Sequence, residues 1–254
     1  MANHKKNRAL LIVNYNFYRS PELRARPGAE KEAKRLFKAL SACNYAVQLH
    51  YDLTAEEIQE LYEKEGDADH GDYFVSILSS HGEEGAIFDC DGQPVQLTQI
   101  FHALSPQRCP KLAGKPKILF IQACRGKEID PGVWIQTDSG ELQTDSSEPQ
   151  TDCFSHYLSI PEDTAVMFSC SPGYASFINQ WESMFLKALL ELLEGKEREL
   201  ELARLMTWIN WRVAFHFQAK GKYSGGKEMP CFVTNMVKEV YPFSLERRLP
   251  LDSS

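Results

Sequence analysis

The sequence predicts an α/β protein built on a mostly parallel sheet with helices on both faces. Three observations point there. Short apolar runs of strand length alternate along the chain with segments whose apolar residues fall at helical spacing. The strand runs are continuously hydrophobic, as in strands covered on both sides, rather than alternating with polar residues. Strands and helices also take turns along the chain, which is the order a parallel sheet with crossover helices requires.

The elements follow in order. Arg8-Ala-Leu-Leu-Ile-Val-Asn14 reads as a buried strand, and a Pro/Gly/Arg loop from Arg19 to Gly28 follows it. Ala29, Ala33, Leu36, Phe37 and Leu40 share one helical face, and Tyr45 to Leu53 reads as a second strand. Thr54-Ala-Glu-Glu57 has the form of a capping box, in which hydroxyl and carboxylate satisfy free backbone N–H groups at a helix start. It opens a helix through Ile58, Leu61 and Tyr62. Tyr73 to Ser79 is the third strand. Ala86-Ile-Phe88 and Pro94-Val-Gln-Leu97, on either side of Asp91-Gly92, predict a short hairpin. Ile100, Phe101 and Leu104 mark another helix and Lys117 to Gln122 the fourth main strand. Thr164 to Ser169 is strand-like, Met184–Leu193 and Leu200–Phe217 read as amphipathic helices, and Pro230 to Val237 as a last strand. No internal structural repeat is evident.

The composition excludes several classes. The chain has 254 residues, 28 Lys+Arg against 35 Asp+Glu, and a net charge of −7. An acidic chain without basic-aromatic runs does not suit general nucleic-acid binding. No uninterrupted apolar window of about 18 residues occurs, so no membrane span is expected. Met1 to Asn7 lacks the apolar core of a secretory signal. The seven cysteines (43, 90, 109, 124, 153, 170 and 231) form no C-x-x-C pair and no zinc-ligand spacing. The expectation is therefore a cytoplasmic protein with free thiols and no metal or organic cofactor.

One segment breaks the alternation. Residues 128–152 carry Glu128, Asp130, Asp138, Glu141, Asp145, Glu148 and Asp152 and no Lys or Arg, so the charge of the whole chain resides there. Rich in Ser, Thr, Gln and Pro, it has little to bury and is expected to be exposed and mobile. Three copies of one tetrad end in Asp: Ile135-Gln-Thr-Asp138, Leu142-Gln-Thr-Asp145 and Pro149-Gln-Thr-Asp152. Two readings fit: a solvated acidic linker, or a stretch built to be cut after Asp at three places.

The reactive groups lie at two strand ends. The third strand runs into Ser79-Ser-His-Gly82 and the fourth into Gln122-Ala-Cys-Arg-Gly126. Ligands of open α/β sheets gather outside the carboxyl ends of the strands, so His81 and Cys124 can meet despite their sequence separation. A thiol nucleophile needs a base, and imidazole titrates near neutrality. Gly82 and Gly126 permit close backbone approach, and backbone N–H groups there can hold an oxyanion.

The pentapeptide Gln122-Ala-Cys-Arg-Gly126 with an upstream His is the caspase signature, and the chain resembles the caspase family from about Arg8 to Phe243. Ser80-His-Gly-Glu-Glu-Gly85, Gly114-Lys-Pro-Lys-Ile-Leu-Phe-Ile121 and Pro172-Gly-Tyr-Ala-Ser-Phe177 carry the resemblance further, as do Pro230-Cys-Phe-Val233 and Lys238-Glu-Val-Tyr241. It implies a six-stranded, mostly parallel sheet sandwiched by helices, and a cysteine endopeptidase that cleaves after Asp. Cys124 would be the nucleophile and His81 its proton-transfer partner, with the N–H groups of Gly82 and Cys124 as the oxyanion hole. Arg26 and Gln122 would hold the P1 Asp. Ser176 and Phe177 belong to the substrate-binding set, Phe177 lining S2, and Met184 would contribute to an apolar S4.

One departure stands out. After Phe177 the family places an Arg that helps hold P1 Asp and meets the P3 side chain, and this chain has Ile178. All three tetrads carry neutral Gln at P3, so pocket and cut sites are expected to have changed together toward a neutral P3. The resemblance further implies a single catalytic domain over 1–254. Within it lie a large subunit at 8–138, a cleavable linker at 128–156 with cuts after Asp138, Asp145 and Asp152, and a small subunit at 157–243. Expected partners are protein substrates with Asp at P1, a second processed unit in a homodimer, and an upstream activating protease, in apoptosis or inflammatory signalling. Only seven residues precede the first strand, which fits an executioner type without a long adaptor-recruiting prodomain. The rival expectation is a caspase-like regulator of low or no activity that pairs with another caspase, and Ile178 is its support. A His/Cys peptidase of another clan, with basic or Asn specificity, is disfavoured by Arg26 and the Asp-terminated tetrads.

Overall fold

The computed structural model describes residues 5–20, 22–130, 160–177, 182–220 and 224–245. The strands are β1 (Asn7–Val13), β2 (Tyr45–Tyr51), β3 (Phe74–Ser79), β4 (Gly82–Glu83), β5 (Ala86–Phe88), β6 (Pro94–Gln96), β7 (Lys117–Gln122), β8 (Gly126–Glu128), β9 (Thr164–Phe168), β10 (Gly173–Tyr174) and β11 (Cys231–Thr234). The helices are α1 (Ala29–Ala42), α2 (Ala55–Glu65), α3 (Leu97–Ala103), α4 (Met184–Glu194) and α5 (Leu202–His216).

A six-stranded sheet runs in the order β11-β9-β7-β3-β1-β2. Its pairs are parallel except β11 with β9. β3, β7 and β9 are buried along their whole length, which is why their sequences are mostly apolar. On one face α1, α4 and α5 cover a core that includes Leu36, Leu40, Phe120, Phe185, Leu189 and Leu205. On the other, α2 and α3 cover Ile58, Tyr62, Phe74, Phe101 and Leu119. The predicted fold class holds.

Local chemistry sets the boundaries. The capping box at Thr54 forms in both directions: Thr54 N–H donates to Glu57 (2.9 Å) and Glu57 N–H to the Thr54 hydroxyl (3.3 Å). Ser183 caps α4 by accepting from Leu186 N–H, and the Glu201 carboxylate caps α5, so that helix starts later than its apolar pattern. β11 is shorter than its apolar run, since Asn235 intervenes. Its side-chain oxygen accepts from Thr164 N–H, and its amide nitrogen donates to Pro161 C=O, which turns the chain off the sheet edge.

Two small sheets flank the carboxyl ends of the main strands. β4 extends the predicted hairpin of β5 and β6 into three antiparallel strands. β8 and β10 pair in parallel, and their two-to-three-residue length left no periodicity to read. Their crossing is so close that a methyl on Gly126 would run into the Gly173 backbone, and Gly173 itself has φ +83°.

Candidate active site

The parallel register of β3 and β7 sets Ser79 beside Gln122, and Ser80 N–H donates to Gln122 C=O (3.1 Å). His81 and Cys124 each follow two residues later, on neighbouring strands whose spacing is about 4.8 Å. The two chain segments touch at Gly82, where a Cβ would sit 2.9 Å from the Ala123 Cβ and 3.1 Å from the Cys124 carbonyl oxygen. Any side chain at 82 would push β4 off the nucleophile's loop.

The imidazole is held from two sides. His81 Nε2 lies 2.7 Å from the Arg24 carbonyl oxygen, and its ring packs on Phe17 at 4.8 Å between centroids. A carbonyl can only accept, so Nε2 carries the hydrogen and Nδ1 is the basic nitrogen. Burial pushes the His81 pKa down, and the nearby positive Arg26 pushes the same way. Burial pushes the Cys124 thiol up; negative Glu228 adds to that rise while Arg26 opposes it. The resting pair is thus a neutral thiol and a neutral imidazole. Cys124 Sγ donates to the Ser176 carbonyl at 3.6 Å, and no hydrogen bond joins thiol and imidazole among the described residues.

Arg26 lies beneath these groups, 4% exposed. Nη1 donates to Asn14 C=O and Nη2 to the Ser79 hydroxyl, both at 2.8 Å, while Nε, also buried, has no partner. Burial lowers its pKa to about 10. Gln122 is fully buried; its Nε2 donates to the Ser176 hydroxyl (2.7 Å) and its Oε1 is unpartnered. The guanidinium keeps unused N–H donors near a thiol, a set suited to a short carboxylate, whereas the unpartnered atom of Gln122 is an acceptor.

Of the residues singled out from the sequence, Cys124, His81, Gly82, Arg26, Gln122 and Ser176 come together here. Phe177 follows Ser176 and packs on Phe217 at 5.1 Å. Met184, at the start of α4, is half-buried and packs against the core cluster. Ile178, Asp138, Asp145 and Asp152 lie outside the described residues.

Sequence reading missed four contributors. The Arg24 carbonyl and the Phe17 ring orient His81 but belong to a loop without periodicity. Arg125 bonds Glu84 (2.9 Å), Cys170 C=O (3.1 Å) and Cys231 Sγ (3.0 Å) and lies over Phe168. It clamps the nucleophile's loop to β9, β11 and the hairpin. Glu228, 2% exposed, accepts the Ser176 hydroxyl at 2.7 Å; as an isolated acid before a strand it carried no signal.

Comparison with known proteins agrees with this geometry. The caspase-domain family matches residues 6–241. The chain is 35% identical to caspase-7 of Gallus gallus over 246 residues, covering 94% of this chain and 78% of that protein. It is 34% identical to caspase-3 of Mesocricetus auratus, with 91% and 82% covered. The crystal structure of caspase-1 from Spodoptera frugiperda superposes with a TM-score of 0.80 at 25% identity, covering 94% and 93% of the two chains. The chain belongs to the caspase family, and it is a cysteine-type, Asp-directed endopeptidase.

Proposed function

We propose that the protein is made as a zymogen, matures by cleavage after Asp138, Asp145 or Asp152, and then cuts protein substrates after Asp. The observation that carries this reading is a thiol and an imidazole at adjacent parallel strand ends above a buried guanidinium with donors to spare. His81 Nδ1 takes the Cys124 proton as sulfur attacks the carbonyl carbon of the P1 Asp. The oxyanion is held by the N–H groups of Gly82 and Cys124. His81 then gives that proton to the leaving amine, and the acyl-enzyme forms. Water, deprotonated by the same nitrogen, attacks the thioester; the acid product leaves and the thiol is restored. Arg26 and Gln122 grip the P1 carboxylate. Ile178, with no charge to offer, favours a neutral P3 such as the Gln of all three tetrads, Phe177 lines S2, and Met184 borders S4.

The large subunit spans 8–138, the linker 128–156 and the small subunit 157–243. Processed units pair as homodimers, and the enzyme acts in the cytoplasm, in apoptosis or inflammatory signalling, downstream of an activating protease. Expression in bacteria followed by mass spectrometry tests the reading. Fragments ending at Asp138, Asp145 or Asp152 are expected from wild type and not from Cys124→Ala. An uncut wild-type chain that also leaves an Asp peptide intact would overturn it in favour of a regulator that acts by pairing.

A further inference from the structure

The pocket contains an acid that the cleavage chemistry does not use. Glu228 is buried, forms no salt bridge with a described residue, and one of its oxygens, Oε2, has no hydrogen-bond partner. Its other oxygen ends a directed chain of donors: Gln122 Nε2 donates to Ser176 Oγ, which donates to Glu228 Oε1, each at 2.7 Å. Both links point their donors toward Glu228. An ionised Glu228 therefore holds the Ser176 hydroxyl, and through it one Gln122 N–H, turned toward itself, and at Cys124 it opposes the field of Arg26.

We propose that Glu228 is a positioning residue that sets P1 specificity: the pocket accepts an Asp carboxylate when Glu228 is neutral and resists it when Glu228 is ionised. This rests on the reading of Arg26 and Gln122 as the P1 pocket. By linkage, a P1 carboxylate that binds better to the protonated pocket raises the affinity of Glu228 for its proton by the same factor.

The surroundings fit this role. Burial pushes the Glu228 pKa up to about 8, against the Ser176 hydroxyl and the Phe177 backbone N–H, which hold it down. The titratable groups that sense its charge are Cys124 after β7 and Cys170 after β9. Its neighbour Lys227 directs its ammonium to Phe217 C=O instead. Arg26 acts on Cys124 from the other side, and behind Arg26 stands Glu32 of α1, pushed up to about 7 by burial. Glu32 does not act on Glu228, so a change at 228 leaves it in place.

The test uses two peptide amides, Ile-Gln-Thr-Asp-NH2 and Ile-Gln-Thr-Asn-NH2, as competitive inhibitors of the mature enzyme from about pH 6.5 to about 9.5. Both meet the same Cys124 thiol, so its titration cancels in the comparison. In wild type the inhibition constant of the Asp amide is expected to rise up to about tenfold through pH 8, while the Asn amide stays level. In Glu228→Gln, which keeps size and the Ser176 contact, the rise is lost. A level Asp amide in wild type overturns the proposal without any variant, and so does an equal rise in Glu228→Gln. If the Asp amide is preferred but pH-independent, Glu228 alone is misassigned. If the two amides bind alike at every pH, the P1 pocket reading falls as well.

Discussion

Replacing Arg26 by Met tests how the enzyme reads Asp. Met preserves the stem and removes the fork. Of the five N–H donors of a guanidinium, two serve Asn14 C=O and the Ser79 hydroxyl. Three are left, including the buried Nε–H, and a bidentate carboxylate needs two. Two charge-assisted bonds at about 1.5–3 kcal/mol each give about 3–6 kcal/mol, roughly 10²–10⁴-fold in kcat/KM for a P1 Asp peptide. The fold should survive. Burial lowers the Arg26 pKa from 12.5 to about 10, so the empty pocket holds this charge at a cost of about 3 kcal/mol. Losing that cost offsets part of what the two charge-assisted bonds to Asn14 and Ser79 contribute. Steady-state kinetics give the loss, thermal unfolding checks the fold, and alkylation of Cys124 by iodoacetamide, which carries no carboxylate, reports the thiol. A loss under about tenfold with the fold intact would refute the carboxylate-grip argument, as would an alkylation rate that falls as far as kcat/KM.

Other perturbations separate the remaining parts. Gly82→Ala places a methyl 2.7 Å from Ala86 C=O and 3.1 Å from Cys124 C=O; kcat should fall at least about a hundredfold, with circular dichroism unchanged. The acid limb of the pH–rate profile should have its midpoint below about 6.5, because burial and Arg26 hold His81 neutral to lower pH than free imidazole; a midpoint above that value would contradict the neutral base. Peptides I-Q-T-D and I-E-T-D should be cleaved with the Gln peptide preferred, and a strong preference for Glu would discard the role given to Ile178. Thr54→Ala removes the hydroxyl that accepts Glu57 N–H while keeping the backbone N–H that donates to Glu57, and should cost about 1 kcal/mol in chemical denaturation, with activity per folded molecule unchanged.

The sheet was legible because β3, β7 and β9 are buried on both faces and so are apolar at most positions, with their polar residues mainly at the strand ends. The helices were legible through one-sided apolar spacing and through caps such as Thr54. What escaped depends on contacts distant in sequence. β8 and β10 are short strands joined across 45 or more residues, and nothing in Gly126-Lys-Glu128 names Gly173 as its partner. In the site, Cys124, His81 and Gly82 were legible because a strand end, a glycine and a reactive side chain coincide. Arg26 needed the family resemblance, since its loop looks solvated until burial is known. Glu228 was beyond reach, because an acid becomes informative only when water has been removed from around it. Met184 was likewise placed by resemblance alone; it is half-buried against the core cluster.

Covalent trapping with an irreversible halomethylketone peptide bearing Asp at P1 reaches the central claim most directly. Digestion and mass spectrometry should place the adduct on Cys124 alone, with the other six cysteines unlabelled and the labelling rate collapsing in Arg26→Met. Label spread over Cys43, Cys90 or Cys231, or an Asn reagent reacting as fast as the Asp one, would contradict a thiol–imidazole pair set above a carboxylate-reading arginine.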